Sequence, residues 1–176
     1  MGAVICTKAV WETMREQNYG RIVMTTSSSG LYGNFGQSNY GAAKMGLVGL
    51  MQTLSIEGAK TDIRVNCLAP TAATRMTEDL AGFQLDAVRP ELVTPGLLYL
   101  CSQDAPPRAI LTAGAGGFEV ANVTLTQGIH AVGHDAAEQV AARWAEIIDR
   151  DGEVVPEAGM AQGMLELSKA AKAKEH

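Results

Sequence analysis

Tyr40 and Lys44 stand four residues apart in the stretch SNYGAAKMG, residues 38–46, with only Gly41, Ala42 and Ala43 between them. At this spacing two side chains share one face of a helix. A free tyrosine titrates near ~10 and is a poor base at neutral pH. A nearby ammonium favours the phenolate and lowers that value. A phenol tuned in this way can give or take a proton at an alcohol or carbonyl oxygen. Ser27 lies thirteen positions before Tyr40. A serine hydroxyl there can hydrogen-bond the same oxygen and fix its position. Such a site still needs a hydride source, which calls for a nicotinamide cofactor. The same stretch has a structural reading. Ala42, Ala43, Gly46 and Gly49 would let the helix pack closely, against a sheet or a partner subunit.

The elements that must position these residues follow from periodicity. Val4, Ile5, Ala9, Val10 and Met14 recur at helical spacing, which predicts an amphipathic helix over 3–17. Gly20 suits the left-handed position that ends it. RIVMTTS, residues 21–27, is a β-branched run and predicts a buried strand ending at Ser27. SSGLYGNFGQSN predicts a loop. Residues 38–59 carry the longest helical signal, with Ser38 or Asn39 as N-cap. DIRVNCLAP, residues 62–70, predicts a second strand stopped by Pro70, and TAATRMTEDLAG, from residue 71, a polar loop with a short helix. RPELVTPGLLYLCSQ, residues 89–103, predicts a helix with Pro90 near its start. GGFEVANVTLTQ, residues 116–127, predicts a strand or strand pair. Residues 135–149 predict a helix capped by Asp135, and a weaker helix closes the chain. Alternating strands and helices favour a parallel sheet with crossover helices. Ligands of such sheets sit outside the carboxyl ends of the strands. Here those ends are Thr26–Ser27, Leu68–Pro70 and the region after Thr124.

The bulk properties narrow the function classes. The 176 residues suffice for a domain with a real core, at 47% hydrophobic and 19% charged. A net charge of −5 gives no electrostatic footprint for nucleic acid, and no Lys/Arg cluster marks a membrane surface. Cys6, Cys67 and Cys101 sit in apolar contexts and read as reduced core residues of a cytoplasmic protein. His130 and His134 lie in a glycine-containing stretch without a convergent cysteine and read as solvated rather than metal-binding. Trp11 and Trp144 read as packing anchors on helical stripes.

Residues 20–77, GRIVMTTSSSGLYGNFGQSNYGAAKMGLVGLMQTLSIEGAKTDIRVNCLAPTAATRMT, resemble the second half of a short-chain dehydrogenase/reductase. Ser27, Tyr40 and Lys44 stand at that family's spacing, Asn39 precedes the tyrosine and RVNCLAP follows the helix. Within the family, GLYGNFGQSNYGAAK and GGFEVANV are most similar to the (3R)-hydroxyacyl-CoA dehydrogenase units of peroxisomal multifunctional enzymes and their bacterial relatives. The resemblance covers about residues 1–130. It implies an α/β fold, a partial Rossmann-like doubly wound parallel sheet (its C-terminal half), with a helical extension over 131–176. It implies that Tyr40 is the general acid/base, that Lys44 lowers the tyrosine's pKa and holds the nicotinamide ribose, and that Ser27 holds the substrate oxygen.

The resemblance also carries cofactor and partner residues. The family's Pro-Gly-x-x-x-Thr cofactor segment falls on Pro70, Thr71 and Thr74, with Thr71 in place of the usual glycine. Tyr40 and Lys44 would contact the cofactor as well, NAD or NADP with NAD favoured. Tyr32 and Phe35 lie in the loop that lines the family's substrate pocket. Family members associate through the helices at 3–17 and 38–59, which implies a homo-oligomer. The implied reaction moves a hydride between nicotinamide and a secondary alcohol or ketone, with 3-hydroxyacyl-CoA thioesters in the substrate class. No Gly-x-x-x-Gly-x-Gly opens a helix anywhere in the sequence. The family's glycine-rich phosphate loop and a fourth catalytic residue, an asparagine, would both precede Met1. The chain therefore reads as the C-terminal part of a longer or truncated enzyme. The alternative is a catalytically inactive fragment that acts as a helix-mediated assembly module.

Overall fold

A computed structural model describes residues 1–74 and 85–173. Most of the loop expected after residue 71 lies outside the described residues. The first helix, α1, spans Gly2–Gln17. It ends at Asn18, whose φ of 53° is left-handed and whose N–H donates to the Arg15 carbonyl. The left-handed position expected at Gly20 is thus taken by an asparagine, one of the few residues that tolerates it. Gly20 instead opens β1 (Gly20–Thr25) and lies under Met14, whose Sδ would stand 2.6 Å from any Cβ there.

Helix α2 (Ser28–Tyr32) follows β1, where only a loop is expected from the sequence. Helix α3 spans Ser38–Gly58 and β2 spans Ile63–Thr71. A 3-10 turn over Pro90–Leu92 precedes α4 (Thr94–Cys101). The single helix expected over 89–103 breaks here because Pro95, in the first turn of α4, has no N–H to continue the preceding turn. Strand β3 spans Ile110–Gly114 and β4 spans Gly117–Ala121. Strand β3 has no counterpart in the sequence-based expectation: five residues are too few to show a period, and its pairing with β2 is what defines it.

Among the described residues the sheet has the order β1-β2-β3-β4. The first three strands run parallel and β4 runs antiparallel to β3. The β3–β4 hairpin closes through Ala115 and Gly116, both at positive φ (52° and 82°), the two-residue turn that suits strand twist. Strand β2 is central and buried through most of its length. Its neighbours cover two faces. Met24, Ile63, Val65, Cys67 and Ile110 pack beneath Val48 and Met51 of α3, with Trp11 and Met14 of α1 alongside. Leu68 and Ala113 pack on the opposite face with Val93 and with Leu100 of α4.

Buried polar groups tie the connections to this core. Asn66, within β2, is fully buried. Its Nδ2 donates to the Pro106 carbonyl (2.9 Å) and its Oδ1 accepts from the Ala109 N–H (2.7 Å). The Arg21 guanidinium donates to the carbonyls of Ser102 (2.9 Å) and Asp62 (2.7 Å). Arg64, and then Arg21, hold the Asp62 carboxyl below its ordinary range by hydrogen bonding and charge, against partial desolvation. Of the three cysteines expected in the core, only Cys67 is buried, and burial pushes its thiol up to about 12. Cys6 and Cys101 are exposed.

The chain divides into two compact units, Met1–Ala121 and Asn122–His176. The second contains a bridge between Leu125 and Val154 and the helices α5 (Ala136–Ala142), α6 (Trp144–Ile147) and α7 (Met160–Lys172). The one helix expected over 135–149 is interrupted at Arg143 (φ −107°, ψ 22°), whose guanidinium pairs with Glu146. Asp135 precedes α5 without a side-chain cap bond. Trp144 is 56% exposed, so it does not serve as the packing anchor expected, whereas Trp11 packs on the core. Among the described residues no helix is long and apolar enough to cross a membrane.

Replacing Asn66 with Ala leaves the Pro106 carbonyl and the Ala109 N–H without their partner. The expected loss is about 2–4 kcal/mol, read as a lower urea midpoint at unchanged slope. A change under about 0.5 kcal/mol would show that the strap is dispensable.

Candidate active site

The site is built where β1 turns into α2 against the start of α3. Thr26 is buried, and its Oγ1 donates to the backbone carbonyl of Lys44 (2.8 Å). Its N–H donates to the Leu68 carbonyl of β2 (2.8 Å). Ser27 is extended (φ −160°, ψ 151°) and caps α2, its Oγ accepting from the Ser29 N–H (3.2 Å). Ser27 therefore lies two residues past β1, in the cap of a helix rather than at a strand end.

Two glycines let α2 lie directly on α3. A Cβ at Gly30 would fall 2.9 Å from the Lys44 Cβ and from the Met45 nitrogen. A Cβ at Gly41 would fall 3.0 Å from the Ser29 carbonyl oxygen. Real Cβ atoms do not tolerate the first of these approaches without movement of the neighbour. Of the small residues of SNYGAAKMG, Gly41 thus serves a close helix contact, which Gly30 of α2 completes from the other side. Gly46 and Gly49 have nothing within 4 Å of a Cβ, so neither packs on the sheet.

Helix α3 begins at Ser38 with Gln37 in the cap position and no side-chain cap bond. Asn39, expected as an alternative to Ser38 for the cap, instead accepts from the Tyr40 N–H through Oδ1 (2.8 Å). Lys44 and Tyr40 do share a face: the Lys44 Nζ stands 5.6 Å from the Tyr40 ring centroid. The ammonium also donates to the Thr25 carbonyl at the end of β1 (2.8 Å). Tyr40 is 38% exposed, open to a ligand.

Beside this corner a cleft of about 420 Å³ opens at the carboxyl ends of β2 and β3. Ser28, Tyr32, Ala69, Thr71, Thr112 and Glu119 contribute to its lining. Of the residues expected to hold cofactor, Thr71 lines the cleft. Pro70 points to the other sheet face, since side chains alternate along β2. Thr74 lies exposed three residues beyond the strand. Of the two aromatic residues expected to line the substrate pocket, Tyr32 stands at the cleft wall, while Phe35 is fully exposed and is not among the lining residues. Thr112 and Glu119 carry polar groups into the cleft that sequence reasoning missed. Their only signal is a lone acidic residue on an otherwise apolar strand, GFEVA.

Comparison with known proteins shows the family of the segment that carries this corner. Residues 1–84 match the short chain dehydrogenase family. These residues belong to that family. Its members use NAD(P) as cofactor. A short-chain type dehydrogenase/reductase of Mycobacterium tuberculosis is 49% identical over 148 residues, 82% of this chain. The chain spans about half (51%) of that relative's length. Peroxisomal multifunctional enzyme type 2 of Mus musculus is 49% identical over 117 residues, covering 65% of this chain and 16% of the relative. The solved structure of full-length peroxisomal multifunctional enzyme type 2 from Drosophila melanogaster matches with a TM-score of 0.83 at 32% identity. It covers 98% of this chain and 32% of that one. The α/β architecture with its largely parallel sheet is thus a partial Rossmann-like fold.

The Gly30 contact has a direct test. Gly30→Val is expected to force α2 away from Met45 and to cost about 1–3 kcal/mol. Thermal unfolding measures the loss, and shifts of the Ser27–Ser29 amide signals report the displacement. Unshifted amides would mean that α2 does not need the close approach.

Proposed function

We propose that this chain carries the catalytic residues of an oxidoreductase acting on secondary alcohols and ketones, with 3-hydroxyacyl-CoA thioesters as the substrate class. The observation that carries the reading is the pairing of the Lys44 ammonium with the Tyr40 ring, beside a backbone junction that Thr26 ties to Lys44. In the oxidation direction the Tyr40 hydroxyl oxygen takes the substrate's hydroxyl proton, and Lys44 passes a proton onward. Ser27 donates a hydrogen bond to the same substrate oxygen and keeps it within reach. Tyr32 forms one wall of the space left for the acyl arm.

The nicotinamide end of a dinucleotide fits the residues present. Thr71 and Thr112 offer hydroxyls in a cleft next to Ser28, and Lys44 offers an ammonium beside Tyr40. In this reading Tyr40, Lys44 and Thr71 hold that end, and when bound the cofactor accepts or supplies the hydride. NAD is the proposed form, because the motifs GLYGNFGQSNYGAAK and GGFEVANV are those that point to hydroxyacyl-CoA dehydrogenase units. The dehydrogenase part is taken to extend to about residue 130, with 131–176 as a helical extension. Three free cysteines among the described residues suit the reducing cytoplasm, which fractionation of the source cells tests.

Turnover of a 3-hydroxyacyl-CoA with NAD is expected to fall about 10²–10⁴-fold in Tyr40→Phe. Full activity in that variant overturns the assignment. A second reading, an assembly module without turnover of its own, is favoured by the exposed apolar residues Val4, Ile5 and Val10 of α1 and Ile56 of α3. Equilibrium dialysis against NAD and NADP separates the two, since only the first predicts binding.

A homo-oligomer through α1 and α3 forms part of the proposal. Val4, Ile5 and Val10 of α1 are exposed, and so are Met45 and Ile56 of α3. A groove of about 320 Å³ lined by Val4, Trp11, Leu50 and Leu54 lies between the two helices. The open side of Gly46 and Gly49 allows a second helix to approach. Sedimentation equilibrium is expected to give an oligomer for the native chain and a monomer for Ile5→Asp with Gly49→Arg. Equal masses would refute this interface.

A further inference from the structure

We propose that Glu119 selects the arm of the substrate, accepting a hydrogen bond from a neutral amide N–H or hydroxyl and turning away an arm that places an anion directly beside it. This inference rests on the dehydrogenase reading for the identity of the ligand. It rests on geometry alone for the site.

Glu119 belongs to β4, whose side chains alternate between the two sheet faces. A Cβ on Gly96 of α4 would fall 3.1 Å from Phe118 and 2.9 Å from Leu111. Phe118 and Leu111 therefore turn to α4. Glu119 and Thr112, next along their strands, turn to the face that carries α2. That places the Glu119 carboxylate in the cleft with Ser28, Tyr32 and Thr71.

Two features hold the carboxylate there. The Thr112 hydroxyl donates to Oε2 at 2.6 Å. Oε1 lies 3.1 Å from where a Cβ on Gly117 would stand, so the missing side chain makes room for it. One hydroxyl satisfies one oxygen of a carboxylate that can accept about four hydrogen bonds. The remaining capacity is free for a donor on the ligand. Among the described residues no Lys, Arg or His lines the cleft, so an anion brought beside Glu119 meets like charge without compensation from them. A thioester whose arm carries amide N–H groups supplies the donor that the carboxylate accepts, and an arm ending in a carboxylate does not.

The test compares two matched probes. One is the thioester of 3-hydroxybutyrate with N-acetylcysteamine, whose arm carries an amide. The other is the same thioester with 3-mercaptopropionate, whose arm ends in a carboxylate. Each is titrated into the full chain, and the amide signals of Gly114 and Gly117 report occupancy of the cleft. The wild-type chain is expected to bind the amide probe about tenfold more tightly than the carboxylate probe. In Glu119→Gln the gap is expected to close to within about twofold, through tighter binding of the carboxylate probe. An unchanged gap in Glu119→Gln overturns the inference. So does equal affinity in the wild-type chain, or titration without movement of the two glycine signals. The dehydrogenase reading fails separately, by full turnover in Tyr40→Phe. Selectivity that depends on Glu119 would survive that failure.

Discussion

A strand buried on both faces has to serve two layers of packing at once, and β2 is that strand. Its Val65 and Cys67 face α3 while Leu68 faces α4. Nearly every residue must therefore be apolar, and the one fully buried polar side chain, Asn66, has both of its ends bonded. Strand β1 pairs on one side of β2 and β3 on the other, each in parallel register. The pairings Thr25 with Leu68 and Thr71 with Gly114 bring the carboxyl ends of the strands to one edge. The cleft is a consequence of that shared register rather than of any one loop.

What converts the edge into a chemical corner is backbone contact between α2 and α3. Gly30 and Gly41 allow it, and the Thr26 hydroxyl ties the junction to the Lys44 carbonyl. A helix carbonyl with a side-chain partner is held in place, so the Lys44 side chain starts from a fixed point. Its ammonium then satisfies the Thr25 carbonyl while standing over the Tyr40 ring. Lysine suits this position: a compact, three-donor cation on a flexible stem can serve a backbone carbonyl and still face an aromatic ring or a ligand.

The cleft beside that corner is polar on one wall and aromatic on another. Thr71, Thr112 and Glu119 offer hydroxyls and a carboxylate, and Tyr32 offers a ring. Such a mixture suits a ligand with a polar head and an uncharged arm. The turn at Ala115 and Gly116 sets how far β4 folds back, and so how far Glu119 reaches over the strand ends.

The amino-acid sequence by itself determined the local part of this protein. Residues four apart on a long helix must share a face, so Tyr40 and Lys44 were a legible pair before any fold was known. The apolar runs at 21–27 and 62–70 were legible as strands for the same reason, since burial on both faces leaves no polar alternation to hide them. Tertiary structure alone decided the rest. Strand β3 is too short to announce itself and exists through its partner β2. The first strand ends earlier than expected, at Thr25, and Ser27 caps α2 instead. Pro70 and Thr71, neighbours in sequence, face opposite layers because the pleat separates them. Glu119 enters the cleft only because β4 folds back antiparallel with Phe118 turned to α4. Helical spacing is set within a few residues of chain, whereas a cleft is set by which strands become neighbours, and that depends on packing across the whole unit.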